Sequence, residues 1–338
     1  MKAVVQIDTG EPATALQLME IGAVDTVLQP DSVAIDVLLT PVHYGDLVLI
    51  RSELNKPEHP PHIRRGSEAV GMVRSIGANV SGYSKVAVGD RVIAFPASGS
   101  WAETVVVPAA ACIPVPSDIE DNVAAQLLIN FVTARMAIRG LRKSVPQIDL
   151  SQGAVLVTGP NTVVGSLLLH LLREEGIEGI GLARTAASAA RIKEVLGDVV
   201  VAAMDNPTWR SQVTDTCAGK KIVGVLDCVS GKILSELATL LADDAAIISY
   251  GALGGGTLDI NTLEVVGHQF VIRGVVFTRW FSELSLEQQS EDIRSAFEVS
   301  RAFPSLFRTH KIFEFGDIQA AVAAVEAPGR NGFVFLRP

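Results

Sequence analysis

The stretch AVLVTGPNTVVG, residues 154–165, joins a short apolar run to a glycine-containing turn and then to a second apolar run. The first run is too short for a helix and suits a strand that is buried on both faces. The turn begins at Gly159, and from Val163 onward the apolar residues recur with helical periodicity. The stretch therefore predicts a buried strand that is followed directly by a helix.

The same alternation continues toward residue 277. Further strands are predicted at 180–183, 199–202, 223–227, 245–250 and 271–277, with helices at 163–173, 186–196, 209–217 and 232–241. Wholly apolar strands that alternate with helices are typical of a parallel sheet covered on both faces. The sequence thus predicts an α/β fold centred on a doubly wound Rossmann domain with a six-stranded parallel sheet.

The chain has 338 residues, which is enough for two domains. Residues 1–118 consist of short apolar runs cut by Gly, Pro, Asn and Asp, which is typical of strands joined by turns. Ser117 and Glu120 have the spacing of a capping box and predict the start of a long helix. We therefore predict a β-rich domain over 1–118, followed by a Rossmann domain over 119–277.

Charge and cysteine content narrow the class of protein. The chain has 28 basic and 37 acidic side chains, a net charge of -9, so nucleic acid is not an expected partner. Its cysteines, Cys112, Cys217 and Cys228, fit neither a disulfide framework nor a Cys-x-x-Cys metal site. The first residues lack the pattern of a signal peptide, and no apolar run is long enough to span a membrane. We expect a soluble cytoplasmic protein with no membrane partner.

The turn after the first buried strand is a candidate phosphate site, because a helix start offers free N–H groups to an anion. The candidate cofactor ligands in this turn are Gly159, Asn161, Thr162, Val163, Val164 and Gly165. The dinucleotide fingerprint has three glycines over six positions, whereas here only Gly159 and Gly165 remain, one residue further apart. The alternative is that the two glycines only permit a tight turn from strand to helix.

The end of the second strand bears on the choice of cofactor. An enzyme that uses NAD places a carboxylate there to bind the ribose 2′-hydroxyl, but this chain has Arg184 followed by Thr185. An arginine can bind a 2′-phosphate through charge-assisted hydrogen bonds, with Thr185 and Ser188 as further donors. NADPH is therefore the expected cofactor. The alternative is that Arg184 is a solvated residue at a helix start.

Several motifs spread along the chain carry a family resemblance. They are GSEAVGMV at 66–73, VGDRV at 88–92, GSWAE at 99–103, NFVTA at 130–134, DCVSGK at 227–232, SYGA at 249–252 and VIRGVVFTRW at 271–280. With these motifs the chain resembles the zinc-independent branch of the medium-chain dehydrogenase/reductase superfamily, which includes quinone oxidoreductases and mitochondrial-type 2-enoyl thioester reductases. The resemblance implies that residues 1–118 and 278–338 together form a GroES-like catalytic domain and that 119–277 form a Rossmann NADPH-binding domain. It also implies NADPH as cofactor and a homodimer.

The resemblance also implies roles for single residues. It assigns Asn130 and Thr133 to the surroundings of the nicotinamide and the reacting carbonyl. It assigns Tyr250 and Gly251 to the adenosine or the bridging phosphates, and Phe277 to a position over the cofactor. Two further residues are assigned to the cofactor site, Cys228 and Gly332.

A metal site is not expected. A catalytic zinc site needs three protein ligands, commonly Cys and His, and the zinc enzymes of the superfamily have a His where this chain has Ser67, next to Glu68. His43, His59 and His62 are an alternative set, but the last two fall in a proline-rich polar segment over 56–65, which is predicted to be a surface loop.

The chain departs from the family at the expected proton donors. The tyrosine of the enoyl reductases falls on Leu54, and the tyrosine of many quinone reductases falls on Val48. Neither side chain can donate a proton. Tyr44 is the nearby phenol and, with His43 beside it, is the candidate donor of a hydrogen bond or proton to the substrate oxygen.

Three functions are compatible with these residues. The first is an NADPH-dependent reductase that transfers hydride to the activated C=C bond of an α,β-unsaturated carbonyl compound of the 2-enoyl thioester type. The second is an NADPH:quinone oxidoreductase, for which the missing tyrosines matter less, because a reduced quinone takes its protons readily from solvent. The third is an NADPH-binding sensor or scaffold that has lost catalysis. The expected partner is a small-molecule acceptor.

Overall fold

The computed structural model describes residues 1–22, 28–51, 63–80 and 86–338. Its strands are β1 (Lys2–Gln6), β2 (Leu16–Glu20), β3 (Ser32–Pro41), β4 (Ile63–Arg64), β5 (Ala69–Ile76), β6 (Arg91–Ala94), β7 (Thr104–Pro108), β8 (Cys112–Pro114), β9 (Gly153–Thr158), β10 (Glu178–Ala183), β11 (Val200–Ala203), β12 (Lys221–Asp227), β13 (Ala246–Ser249), β14 (Val271–Gly274), β15 (Thr309–Glu314) and β16 (Phe333–Arg337). Its α-helices are α1 (Pro12–Ala15), α2 (Tyr44–Arg51), α3 (Asp121–Ala124), α4 (Leu127–Ser144), α5 (Val163–Glu174), α6 (Ala186–Leu196), α7 (Trp209–Thr216), α8 (Ile233–Ala238), α9 (Thr262–His268), α10 (Trp280–Glu283), α11 (Leu286–Ala302) and α12 (Ile318–Glu326).

The chain divides into two compact units. Unit 1 contains residues 1–129 and 297–338, and unit 2 contains residues 130–296. Both divisions fall inside helices, the first in α4 and the second in α11. The domain bounds predicted from the sequence, at residues 118 and 277, stay a prediction.

Unit 2 contains a six-stranded parallel sheet. The strand order is β11-β10-β9-β12-β13-β14. From β9, the chain first adds β10 and β11 on one side, and then adds β12, β13 and β14 on the other side. β9 is buried throughout and β12 is buried from Ile222 onward, as expected for central strands of a sheet that is covered on both faces. This order confirms the doubly wound fold. Loops that follow the carboxyl ends of β9 and β12 lie side by side where the order reverses, which is the ligand-binding edge of such sheets.

Unit 1 is β-rich. Its larger sheet has the order β15-β16-β3-β5-β6-β8, and β7 also pairs with β3. Strands from both ends of the chain meet here, since β16 is antiparallel to β3. A smaller sheet has the order β2-β1-β4. Within this unit, His43 and Tyr44 come directly after β3, and Glu68 comes directly before β5.

The helix start predicted at Ser117 is wrong, and the surface loop predicted over 56–65 is wrong at residues 63 and 64. Ser117 does not cap a helix, because Arg91 binds the carbonyls of Pro116 and Ile119 and holds this segment as a turn; the helical segments begin later, at Asp121 and Leu127. The predicted surface loop over 56–65 lies outside the described residues up to position 62, and its next two residues form β4, where they pair with β1.

A buried carboxylate joins two helices within unit 2. Asp292 on α11 is fully buried and accepts hydrogen bonds from Arg139 on α4 at 2.7 and 2.8 Å, from Arg135 at 3.1 Å and from the Trp280 indole at 2.8 Å. Burial raises the pKa of Asp292, but the hydrogen bonds from Arg139 and Trp280 outweigh burial, so its pKa lies below the usual 3.8. The ionised carboxylate therefore stabilises the packing of α11 and α10 against α4.

We predict that Asp292→Asn lowers the free energy of unfolding by about 3 kcal/mol at pH 7, because two guanidinium groups lose a buried partner. The folded pKa is depressed, so this contribution is present above the unfolded pKa and is lost as the pH falls through the lower folded value. Urea unfolding between pH 2 and pH 7 measures both effects. Asp215→Asn, at an exposed position on α7, is the control and should behave like wild type. A variant as stable as wild type at pH 7 would contradict the prediction.

Candidate active site

The loop between β9 and α5 presents free N–H groups. Thr162 caps α5, and its Oγ1 accepts from Gly165 N at 3.0 Å and donates to Gly159 O at 2.9 Å. The N–H groups of Val163 and Val164 have no acceptor in the described part of the chain, as expected for the first turn of a helix. The loop can therefore bind an anion through its backbone.

Both predicted glycines are required by close packing. Gly159 has φ +57°, and a Cβ there would lie 2.6 Å from the Cys228 sulfur. A Cβ on Gly165 would lie 2.3 Å from Gly159 O and 2.8 Å from Pro160 Cα, which are backbone atoms that cannot move aside. The glycines thus bring the helix start close to the end of β9. This packing agrees with the tight-turn interpretation and also leaves room for a ligand at the backbone.

Sequence reasoning missed Asp227, whose carboxylate organises the same edge of the sheet. It lies at the end of β12, is fully buried, and accepts from Thr158 Oγ1 at 2.7 Å, Val229 N at 3.1 Å and Ser230 N at 3.0 Å. Burial raises the pKa of Asp227, and the three hydrogen bonds oppose that rise. The residue fixes the loop after β12 against the end of β9. An acid at the end of an apolar strand was the signal that could have identified it.

The end of β10 carries the residues predicted to select NADPH. Arg184 is exposed and has no ion-pair partner among the residues that the structure describes. Thr185 caps α6, and Ser188 Oγ accepts from Thr185 Oγ1 and from Arg191, both at 3.1 Å, so the Ser188 hydroxyl keeps its own proton to donate. Asp205 accepts from the backbone N–H of Ala186 at 3.1 and 3.2 Å. Two arginines and one carboxylate therefore surround this helix start.

Cys228, Tyr250 and Gly251 are brought together next to the phosphate loop. The Cys228 thiol donates to Thr158 O at 3.5 Å, and burial raises its pKa to about 12. The Tyr250 hydroxyl is buried beside this thiol, and burial raises its pKa as well. Gly251 O accepts from Ser230 Oγ at 3.2 Å. These groups stay protonated at neutral pH, so they can pack against a ligand but cannot act as nucleophiles.

The structure places the remaining candidates of the cofactor site as follows. Asn130 is buried on α4, and Thr133 lies one helical turn further on and is half-buried. Phe277 is half-buried in a 3-10 turn after β14. Gly332, in unit 1, has φ +100°, and a Cβ there would lie 2.6 Å from Arg308 O, so local packing alone requires the glycine. Their contacts with a cofactor stay predictions.

In unit 1, a histidine and a carboxylate form a buried pair. His43 Nε2 lies 2.9 Å from Glu68 Oε1, and Glu68 Oε2 accepts from Ile129 N at 3.1 Å. Glu68 is fully buried, whereas the His43 side chain is 12% exposed. The pair joins the end of β3 to the start of β5, although the two residues are 25 positions apart in the sequence. Sequence reasoning considered both residues but did not pair them.

The pKa values of both members of the pair are raised. For His43, burial opposes protonation, but the hydrogen bond to Glu68 and the negative charges of Glu68 and Asp46 outweigh it and raise the pKa above 6.5. Burial raises the pKa of Glu68. With Nε2 bound to Glu68, the protonated ring has Nδ1–H available as a donor. The arrangement is that of a general acid positioned by a second group.

The other residues near this pair have clear roles in packing. Asp46 accepts from Ser67 Oγ at 3.0 Å and from His43 N at 3.1 Å, and so holds the start of α2. Tyr44 is half-buried against the apolar cluster that includes Leu47. Val48 is exposed on α2, and its aliphatic side chain cannot donate a proton. The family's other tyrosine position, Leu54, and the histidines at 59 and 62 lie outside the described residues.

Across the residues that the structure describes, no group of three or more His, Cys, Asp or Glu side chains is arranged to hold a metal ion. The absence of a metal requirement stays a prediction.

Within the described parts of the chain, no helix has both the length and the apolar content needed to cross a bilayer.

Comparison with known proteins shows what the chain is similar to. The alcohol dehydrogenase GroES-like domain matches residues 29–117. Mitochondrial enoyl-[acyl-carrier-protein] reductase of Dictyostelium discoideum is 26% identical over 317 residues, which cover 90% of this chain and 87% of the relative. The human protein of the same name is 25% identical over 310 residues, covering 89% of this chain and 79% of its own.

Solved structures agree over the whole chain. The quinone oxidoreductase of Escherichia coli, solved in complex with NADPH, superposes with a TM-score of 0.83 at 18% identity and covers all of both chains. The quinone oxidoreductase of Pseudomonas syringae pv. tomato superposes with a TM-score of 0.82 at 19% identity, also over both whole chains. At such identities these structures establish the fold: a GroES-like unit combined with a Rossmann unit.

Together with the sequence relatives, this fold makes the chain similar to the branch of the medium-chain dehydrogenase/reductase superfamily that contains quinone oxidoreductases and enoyl reductases. The resemblance drawn from the motifs is confirmed.

Proposed function

We propose that the protein is an NADPH-dependent reductase that transfers hydride to the activated C=C bond of an α,β-unsaturated carbonyl compound of the 2-enoyl thioester type. The loop between β9 and α5 carries the proposal, because its free N–H groups and two packed glycines form a phosphate cradle at the edge of the sheet. The enoyl acceptor is supported by the similarity, over 90% of the chain, to a protein named enoyl-[acyl-carrier-protein] reductase.

NADPH is the proposed cofactor. Arg184 supplies an uncompensated positive charge at the position where a ribose 2′-phosphate would lie, and the Ser188 hydroxyl has a proton to donate. Asp205 acts against this preference, since a carboxylate at the same helix start repels a phosphate and can accept from a 2′-hydroxyl. The E. coli structure solved with NADPH supports the choice for the fold.

The proposed reaction requires few side chains to take part directly. When bound, NADPH supplies the hydride to the β-carbon of the acceptor. We propose that Asn130 and Thr133 hold the nicotinamide and the reacting carbonyl, because an amide and a hydroxyl can stabilise the charge that develops on the carbonyl oxygen. The α-carbon then needs a proton.

We propose that the His43–Glu68 pair supplies this proton, or holds the water that does. Glu68 fixes the His43 ring and helps to keep it protonated, which is what a general acid requires near neutral pH. Tyr44, the donor predicted from the sequence, is the alternative, since its hydroxyl has no partner in the described part of the chain.

Quinone reduction is the second candidate. It is favoured by the structures named quinone oxidoreductase and by the aliphatic Val48, because a reduced quinone needs no dedicated acid. A protein that binds NADPH without turnover is the third candidate.

A homodimer is the proposed assembly. β14 is the edge of the six-stranded sheet, and its Val271 and Ile272 side chains are exposed. An apolar edge strand is suited to pairing with a second copy of itself.

The expected partner remains a small-molecule acceptor, and the cytoplasmic location remains a prediction.

We predict that purified protein oxidises NADPH faster with a trans-2-enoyl-CoA than with a small para-quinone, and faster with NADPH than with NADH. Absorbance at the reduced nicotinamide band measures the rates. A preference for the quinone would support the second candidate instead. If the protein binds NADPH tightly but oxidises it with neither acceptor, the third candidate would be supported.

We predict that Arg184→Gln raises the Kd for NADPH about tenfold or more and leaves the Kd for NADH nearly unchanged, because only NADPH carries the 2′-phosphate. Fluorescence titration of both cofactors gives the two constants. Arg210→Gln, at an exposed arginine on α7 that pairs with Glu236, is the control and should alter neither. An equal loss of affinity for both cofactors would show that Arg184 does not bind the 2′-phosphate.

We predict that His43→Gln lowers kcat for the enoyl thioester about 100-fold, whereas Tyr44→Phe changes it by less than about threefold. The pKa of His43 is raised, so wild-type kcat should hold at low pH and fall as the pH rises through that raised value. This fall should be missing in His43→Gln. His310→Gln, at an exposed position on β15, is the control. A larger loss of kcat in Tyr44→Phe than in His43→Gln would indicate Tyr44 as the donor.

A further inference from the structure

One asparagine of the chain has a neighbour that makes its side chain chemically labile. Asn331 is followed by Gly332, and no other asparagine in the sequence precedes a glycine. The two residues lie between α12 and β16, in unit 1, where Asn331 is exposed and Gly332 is half-buried. A glycine after an asparagine leaves the amide open to attack by the main chain, because there is no Cβ to shield the glycine nitrogen.

The backbone nitrogen of Gly332 is available as the attacking group. Its N–H has no acceptor in the part of the chain that the structure describes, whereas the N–H of the next residue, Phe333, donates to Arg308 O at 2.7 Å. Gly332 has φ +100°, and a Cβ there would lie 2.6 Å from the same carbonyl oxygen. Local packing therefore requires a residue without a Cβ directly after Asn331.

The amide of Asn331 is held by a cation. Arg308 Nη1 donates to Asn331 Oδ1 at 3.2 Å, and Arg308 Nε donates to Ser305 O at 2.9 Å, which fixes the guanidinium. A cationic donor on a carbonyl oxygen stabilises the negative charge that develops there when a nucleophile attacks the carbon. Arg308 is therefore placed to activate the amide.

We propose that Asn331 is a site of spontaneous deamidation. The Gly332 nitrogen gives its proton to water and forms a bond to Cγ of Asn331. The bond from Cγ to the amide nitrogen breaks, and that nitrogen takes a proton from solvent and leaves as ammonia. Water then opens the cyclic imide at either carbonyl, which gives aspartate or isoaspartate at position 331. The proposal is independent of the proposed function.

The two products affect unit 1 differently. Aspartate places a carboxylate where Arg308 already donates, so an ion pair replaces the present hydrogen bond. Isoaspartate routes the main chain through the former side chain and so lengthens it by a methylene directly before β16, which pairs with both β15 and β3. Phe333, the first residue of β16, also contacts the His43 ring, with centroids 5.1 Å apart. Isoaspartate should therefore disturb the start of β16 and destabilise unit 1.

The test ages purified protein at pH 6 and at pH 8 and then cleaves it after Glu326 at mildly acidic pH, which releases the segment 327–338. Mass spectrometry measures the loss of the amide, and labelling with an isoaspartate methyltransferase measures isoaspartate. We expect Asn331 to lose its amide about tenfold or more faster than Asn79, an exposed asparagine followed by valine, because valine shields its nitrogen with a Cβ. The loss should be faster at pH 8, because the Gly332 nitrogen must give up its proton.

Three variants complete the test. Asn331→Gln should form no isoaspartate at this position, because glutamine would have to close a larger ring. Arg308→Gln should slow the loss about threefold or more, because the carbonyl oxygen loses its cationic donor. Arg337→Gln, which removes an exposed arginine from the end of β16, is the control and should react like wild type. Aged wild type should unfold at a lower urea concentration than equally aged Asn331→Gln.

None of these measurements depends on turnover, so failure of the proposed function would be seen separately. Amide loss at Asn331 that is no faster than at Asn79 would overturn the proposal. An unchanged rate in Arg308→Gln would overturn the role of Arg308, and equal unfolding midpoints of aged wild type and aged Asn331→Gln would overturn the effect on β16.

Discussion

The carboxylate of Asp227 is buried between the ends of the two central strands of unit 2, and the candidate cofactor site is built around it. It accepts from the Thr158 hydroxyl on β9 and from two N–H groups of the loop after β12. The Thr158 hydroxyl in turn accepts from Cys228 N at 3.0 Å. Because the loops on either side of the reversal in strand order are tied to one group, Gly159 can approach Cys228 closely and the start of α5 is held in place. A backbone that binds an anion must be fixed before the ligand arrives, and this carboxylate fixes it.

Unit 1 shows a different use of buried charge. Glu68 receives two hydrogen bonds, one from His43 and one from the backbone, so its burial is compensated. A satisfied pair of this kind gives the His43 ring a fixed position, which suits a group that transfers a proton.

The sequence was sufficient for the fold because its signals are local. Strands buried on both faces are unbroken apolar runs, and the helices between them have clear periodicity, so the alternation from residue 154 onward predicts the sheet and its class. The glycine turn at 159–165 was predictable for the same reason. The helix start expected at Ser117 is wrong because Arg91, from another part of the chain, binds the carbonyls of Pro116 and Ile119 and holds this segment as a turn. The His43–Glu68 pair is a tertiary property: it depends on which groups the fold brings near each other, and no spacing in the sequence encodes that.

The route of the chain through the larger sheet of unit 1 affects how the protein is made. β3 lies near the start of the chain and β16 near its end, yet the two are hydrogen-bonded neighbours. Unit 2 is a continuous segment, so all of its strands have been synthesised before β16 leaves the ribosome. Domains generally fold as units during synthesis. The Rossmann unit can therefore fold first. β5 and β7 can already pair with most of β3, but its end at Thr40 and Pro41 lacks its partner until β16 has been synthesised. Unpaired strand edges are where a chain is most open to aggregation.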